Sequence, residues 1–265
     1  NTTGSENTAV GQNSSDAVTT GSANTAVGQS SLSGTTTGSH NVAMGVDALN
    51  ANTTADNNTA VGRSAMAANT TGAGNVAVGT YALDANTTAN NGTAVGYGAL
   101  SANTTAADNT GIGYLALQVN TTGASNTAVG SGALDANTTA DYNTAVGQAA
   151  LGANTTGTRN VAVGTFAGDA CTIGRYNTAI GYGAIGADVV GDYSVGVGYQ
   201  TLQNQASDAD NQAVLNTAVG PFAGNALTTG IKSTFVGAYA GANGTVTGDE
   251  NTAVGYNCGY SLTSA

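Results

Sequence analysis

One pentapeptide pattern, Asn-Thr-Ala-Val-Gly, returns along this chain at a fixed interval, and the interval limits the folds open to it. Its glycines are Gly11, Gly28, Gly45, Gly62, Gly79, Gly96, Gly113, Gly130, Gly147, Gly164, Gly181 and Gly198, each 17 residues from the next. Gly220, Gly237 and Gly255 follow at intervals of 22, 17 and 18. Numbered from its Asn, the unit reads Asn-Thr-Ala-Val-Gly-x-x-Ala-Leu-x-Ala-Asn-Thr-Thr-x-x-x. Position 5 is Gly in all fifteen copies, and position 4 is Val, Ile or Met in all fifteen. Position 2 is always Thr or Val, and position 1 is Asn except at Gly92, Ser194 and Ser233.

A pair of helices needs a repeat of about 33 residues or more, so this unit is too short for a helical array. Its Gly and β-branched content also disfavours helix. Thr-Ala-Val alternates with period two, which predicts a strand. A second short strand is expected over Ala-Leu-x-Ala or the Asn-Thr-Thr region. The invariant glycines are expected to be structural turns, where φ is positive or no β-carbon fits. The expected fold is all-β: a parallel β-solenoid or β-roll of about fifteen coils with a thin core of Ala and Val. Coils stacked at about 4.8 Å would give a rod of roughly 70 Å. One coil cannot stand alone, because ordering its backbone costs more than burying its few aliphatic side chains returns. Neighbouring coils or other chains must supply the rest.

By regularity the chain divides into residues 1–202, strict repeats; 203–215, an insertion loop; and 216–265, looser repeats. No capping helix is evident, and the start at Asn1 reads as a processed chain or part of a longer one.

Composition narrows the function. Charged residues are 7% of the chain, the net charge is −11, and only Arg63, Arg159, Arg175 and Lys232 are basic. No phosphate-binding patch can be assembled from four scattered cations, so nucleic acid is not an expected partner. No run of 18 apolar residues exists, and membrane insertion is not expected.

The string Asn-Thr-Ala-Val-Gly-x-x-Ala resembles the repeats of trimeric autotransporter adhesin heads. The whole unit, with its Ala-Leu and Asn-Thr-Thr-Gly elements, is similar to repeat arrays of phage and bacterial tail-fibre-type proteins. The resemblance spans essentially the whole chain. It implies a homotrimeric fibre, outside the cell, on its surface or on a virion, with a cell-surface glycan or protein receptor as partner. It carries over no chaperone domain and no membrane anchor, and this coil is longer than the adhesin's.

Catalysis has little to use. His40 is the only His, which leaves one base for any Ser–His or Cys–His arrangement, and it reads as a variable loop residue before Asn41. No catalytic residue, cofactor or metal ligand is expected, and a polysaccharide-cleaving fibre lacks paired carboxylates. Asp47, Asp84, Asp135 and Asp169 read as solvating charges rather than a calcium array. The stretch Asp188 to Asp192 and the pair Asp208 and Asp210 are weak ion candidates. Cys171 and Cys258 fall five coils apart, about 24 Å at the spacing of stacked strands, too far for an internal disulfide. The repeated Asn-Thr-Thr matches a glycosylation sequon, but its regularity reads as a structural ladder.

Tyr97, Tyr114, Tyr182, Tyr199 and Tyr256 each follow the repeat glycine and are candidate surface contacts. Irregularity after Ala170, with Phe166, Phe222 and Phe235, points to that half for any binding tip. Two alternatives to an adhesive fibre segment stand: an ice-binding solenoid, suggested by the Thr rows, and a subunit that self-assembles end to end into an extracellular filament. Against ice binding, adjacent Thr in an extended Asn-Thr-Thr would face opposite ways.

Overall fold

The computed structural model describes residues 2–207, 209–210 and 212–259. Asp208, part of the insertion, and residues 260–265 of the last segment lie outside them. The protein is all-β, and every strand among the described residues has parallel neighbours. The chain divides into two compact units, residues 1–126 and 127–265.

The first unit holds β1 (Thr8–Val10), β2 (Thr25–Val27), β3 (Val42–Met44), β4 (Thr59–Val61), β5 (Val76–Val78), β6 (Thr93–Val95) and β7 (Thr110–Ile112). The second holds β8 (Thr127–Val129), β9 (Thr144–Val146), β10 (Val161–Val163), β11 (Thr178–Ile180), β12 (Val195–Val197), β13 (Thr217–Val219), β14 (Thr234–Val236) and β15 (Thr252–Val254). Within each unit, consecutive strands pair in parallel and in register, as in Thr59↔Val76, Ala60↔Ala77 and Val61↔Val78. Each unit is therefore a β-solenoid with one three-residue strand per coil.

The middle residue of the strand points inward. Ala26, Ala43, Ala60, Ala77 and Ala94 are fully buried, as are the Ala at position 8 and the aliphatic at position 9: Leu32, Leu49, Met66, Leu83, Leu100 and Leu117. The core is thus Ala and Leu. The expected Val core is corrected: strand Val alternates with buried Ala, and the two-residue period puts it on the outer face.

The second strand expected over Ala-Leu-x-Ala does not form. Positions 7 and 9 take left-handed backbone, φ +57 at Asp47 and +50 at Leu49, which breaks extension. Stacking holds them there: Asp47 N–H donates back to Gln29 O at 3.0 Å, while Leu49 N–H donates forward to Ala65 O at 3.0 Å. Asn-Thr-Thr is not a strand either. The N–H groups of Thr36, Thr37 and Gly38 converge on Thr53 O at 2.9, 3.3 and 3.4 Å, and Thr36 Oγ1 donates to the same oxygen at 3.2 Å.

Two buried Asn columns brace the coil. At position 1, Asn58 Nδ2 donates to Gly72 O at 2.8 Å, and its Oδ1 accepts Asn75 N–H at 2.9 Å. At position 12, Asn69 Nδ2 donates to Asn52 Oδ1 at 3.1 Å and to Gly72 O at 2.9 Å. Both columns tie into the position-15 carbonyl, so a wide apolar core is not needed to close the coil.

Candidate functional site

With Ala facing inward, positions 2 and 4 of the strand face out. Position 4 forms a column of aliphatic side chains on the sheet surface: Met44, Val78 and Ile112 in the first unit, and Val163, Ile180, Val219 and Val236 in the second, 36–46% exposed. Beside it runs a half-buried column of Thr or Val at position 2. In-register pairing makes each column continuous within its unit. Contiguous apolar surface of this kind is uncommon on a monomer and marks an interaction face.

The repeat-glycine tyrosines lie on an edge of the coil. In the first unit, Tyr97 stacks on Tyr114 with centroids 5.8 Å apart and meets Tyr81 edge-on at 6.0 Å. In the second, Phe166, Tyr182, Tyr199, Phe222, Tyr239 and Tyr256 form one run, one ring per coil, with neighbouring centroids 4.9–6.2 Å apart. Stacked pairs alternate with edge-to-face pairs, so each ring covers part of its neighbour. The run is a rigid aromatic edge. Tyr81, Phe166, Phe222 and Tyr239 fall outside the Gly-Tyr pattern, because they stand one residue later, at position 7. The signal was there: an aromatic at either position of adjacent coils reaches the same place.

A second row runs along position 17 of the second unit. Arg159 lies over Tyr142 at 5.2 Å and Tyr176 at 5.6 Å, and Tyr176 stacks on Tyr193 at 4.8 Å. These residues take φ near +60, so each side chain leaves a left-handed turn.

All fifteen repeat glycines, Gly11 to Gly255, have φ between +122 and +144. His40 is exposed on a left-handed turn. In the seven Asn-Thr-Thr copies from Asn52 to Thr156 the Asn is buried with its Nδ2 donated inside the coil, as at Asn69, Asn86 and Asn103, so the atom a glycan would occupy is already engaged.

Asp84, Asp135 and Asp169 share position 10. Burial raises each carboxyl above its ordinary value, opposed by its own and the following N–H. Asp188 stands in the position-12 column. Its Oδ1 accepts Gly191 N–H at 3.1 Å and Ser207 N–H at 3.2 Å, and its Oδ2 accepts from Gln205 Nε2. Asp192 pairs with Arg175 at 2.9 Å. Protein donors thus engage both carboxylates of the Asp188 to Asp192 stretch. Cys171 and Cys258 are free thiols, one buried and one exposed. Burial, and then the charge of Asp188, push the Cys171 thiol up to about 12. Among the described residues no helix is long and apolar enough to cross a membrane.

Neither protein-family models nor curated proteins match the chain. What fold and surface define is a class, the parallel β-solenoid repeat protein, and the fold alone does not assign a role.

Proposed function

We propose that this chain is a structural and adhesive segment of an extracellular fibre, from a cell surface or a virion, that assembles as a homotrimer and supports multivalent attachment. The observation that carries the reading is the outward column at position 4, Val, Ile or Met in every copy. A surface free of functional constraint would mix polar residues into such a column. A shared interior between chains requires the opposite, since apolar area stabilises only where water is removed from it. The resemblance of the unit to tail-fibre and adhesin repeats supports the same assembly. Single weak contacts repeated on three chains would sum to useful avidity. No catalytic role, cofactor or metal enters this reading.

Size exclusion with light scattering tests it. A mass of three times the 25.5 kDa chain, roughly 77 kDa, is expected. Val61→Lys with Val95→Lys, in two adjacent-but-one coils, should reduce that mass to the monomer's while leaving the circular dichroism unchanged. A monomeric wild type overturns the trimer, and open-ended species point to a filament.

One observation favours a second reading, ice binding. The second Thr of the Asn-Thr-Thr segment is exposed, as at Thr54, Thr71 and Thr88, and a further outward row of Thr comes from strand position 2, in register from coil to coil. Their partners at position 4 are never Thr, which leaves the fibre reading ahead. Absence of thermal hysteresis and of ice shaping in dilute protein removes the alternative.

A further inference from the structure

Coil 177–193 is the one coil of fifteen with glycine at both position 7 and position 10, Gly183 and Gly186. Every other coil carries a side chain at one or both of these positions, and where both are present they can stand together on the surface: Asn50 Nδ2 donates to Asp47 Oδ1 at 3.2 Å across the same pair. Their absence opens a notch of about 290 Å³ one coil wide. The coil before supplies one wall, Phe166 and Asp169. The coil after supplies the other, Gln200 and Gln203, and Tyr182 stands beside the glycines.

The two walls differ in chemistry. A β-carbon on Gly186 would lie 3.7 Å from Asp169 Oδ1, and one on Gly183 would lie 3.9 Å from Gln203 Nε2. Gln203 Oε1 accepts from Asn225 Nδ2 at 3.3 Å, which turns its Nε2 toward the notch. An acceptor therefore faces a donor across the gap, with aromatic carbon at the side.

We propose that this notch binds a single neutral pyranose ring of a glycan. A sugar hydroxyl both donates and accepts, so adjacent hydroxyls satisfy Asp169 and Gln203 together, and the C–H face of the ring lies against Phe166 and Tyr182. A carboxylate or sulfate ligand would be repelled by Asp169, and an ammonium would leave the Gln203 N–H without an acceptor. The volume falls at the small end of ligand sites, which fits one ring rather than a chain buried along its length. The inference deepens the adhesive reading and rests on it, because one shallow site gains useful strength only when repeated on a fibre.

The test uses the whole chain with methyl α-D-glucopyranoside, methyl α-D-mannopyranoside and methyl β-D-galactopyranoside as probes in saturation-transfer NMR. At least one should bind saturably with Kd of about 1–10 mM. Gly186→Asn fills the notch with a residue that Asn50 and Asn225 already place at this position, and should weaken binding about tenfold or more. Gln203→Leu removes the donor and should do the same without filling the space. Binding of none of the three up to about 50 mM, or binding that survives both variants, overturns the proposal. So does methylammonium binding in place of the glycosides. Light scattering on the same samples separates the two readings. A trimer that ignores the sugars sinks the notch alone, and a monomer that binds them sinks the fibre alone.

Discussion

The carbonyl oxygen of Gly79 lies 2.6 Å from the point where a β-carbon on Gly62 would stand, one coil below. Gly62 also has φ +131, a region other residues rarely enter. Both constraints act at once, and neither can relax, because the obstructing atom is backbone. Gly62→Ala should therefore cost about 3 kcal/mol or more, from strained dihedrals and overpacking together. Gly132→Ala is the control. Its β-carbon would meet nothing closer than Asp135 Oδ2 at 3.7 Å, and Ala149 already occupies the equivalent position with φ +51. Its cost should stay below about 1 kcal/mol. Urea unfolding midpoints of the two variants check the contrast; equal losses would mean that stacking distance is not the constraint.

The Asn column makes a second test. Asn58→Ala leaves the buried Asn75 N–H unpaired and takes from the Gly72 carbonyl one of its two donors, the other being Asn69 Nδ2. The orphaned N–H costs about 1–3 kcal/mol and the lost bond to the carbonyl about 0.5–1.5 kcal/mol, so a loss of roughly 2–4 kcal/mol is expected. Ser should cost less, since Ser233 Oγ, at the same unit position, still accepts Asn251 N–H at 3.1 Å. Amide hydrogen exchange gives the local readout: Asn75 N–H should lose protection in Asn58→Ala and keep part of it in Asn58→Ser.

How much of this was legible depends on whether a residue's fate is set within its own coil. The strand was readable because Thr-Ala-Val carries its own inside–outside alternation. The repeat glycines were readable because nothing else occurs at that position. Leu49 was not: a Leu at φ +50 has no local signature, and its conformation is imposed by a bond to Ala65 in the next coil. The same limit hid the aromatic edge, where Phe166 and Tyr182 sit at different unit positions yet meet across coils at 6.0 Å. It hid the notch as well. Gly183 and Gly186 are visible in the aligned repeats, but the walls come from residues on either side that only stacking brings together.

Cys171 replaces Asn in the position-12 column, and Asn154 Oδ1 beneath it has no hydrogen-bond partner, as is also true of Asn86 Oδ1 in the same column. The buried thiol holds its proton to about 12, whereas the unfolded one releases it near 9.0. Ionisation thus favours the unfolded chain. The contribution is whole below pH 9.0 and is lost as pH rises from there to about 12. Stability of the wild type should fall relative to Cys171→Ser by about 1.4 kcal/mol per pH unit across that window. Urea titrations at two alkaline pH values measure it, and parallel slopes would remove the thiol as the cause. A thiol reagent at neutral pH should label the exposed Cys258 and leave Cys171 silent until unfolding.

Phe235 breaks the Ala rule of the strand centre and is nonetheless fully buried. Its ring takes the space that position 9 gives up in two coils, where Gly224 and Gly241 replace the usual Leu. A β-carbon on Gly224 would lie 3.0 Å from Phe235 Cδ2, and one on Gly241 would overlap the ring. The backbone is not the obstacle, because Gly241 has φ +61 and Leu83 holds the same position at +53. Gly241→Leu alone should therefore destabilise by overpacking, about 1–3 kcal/mol. Phe235→Ala alone should leave a cavity and cost about 3–5 kcal/mol. Together the two changes restore the Ala and Leu of the regular coil, so the double variant should be more stable than Phe235→Ala. A coupling of about 0.5–3 kcal/mol is the expected size for side chains that share one volume. Thermal unfolding of the four proteins closes the cycle. Strict additivity would show that the ring and the glycine do not compete for that space, and that Phe235 is accommodated by some other adjustment of the stack.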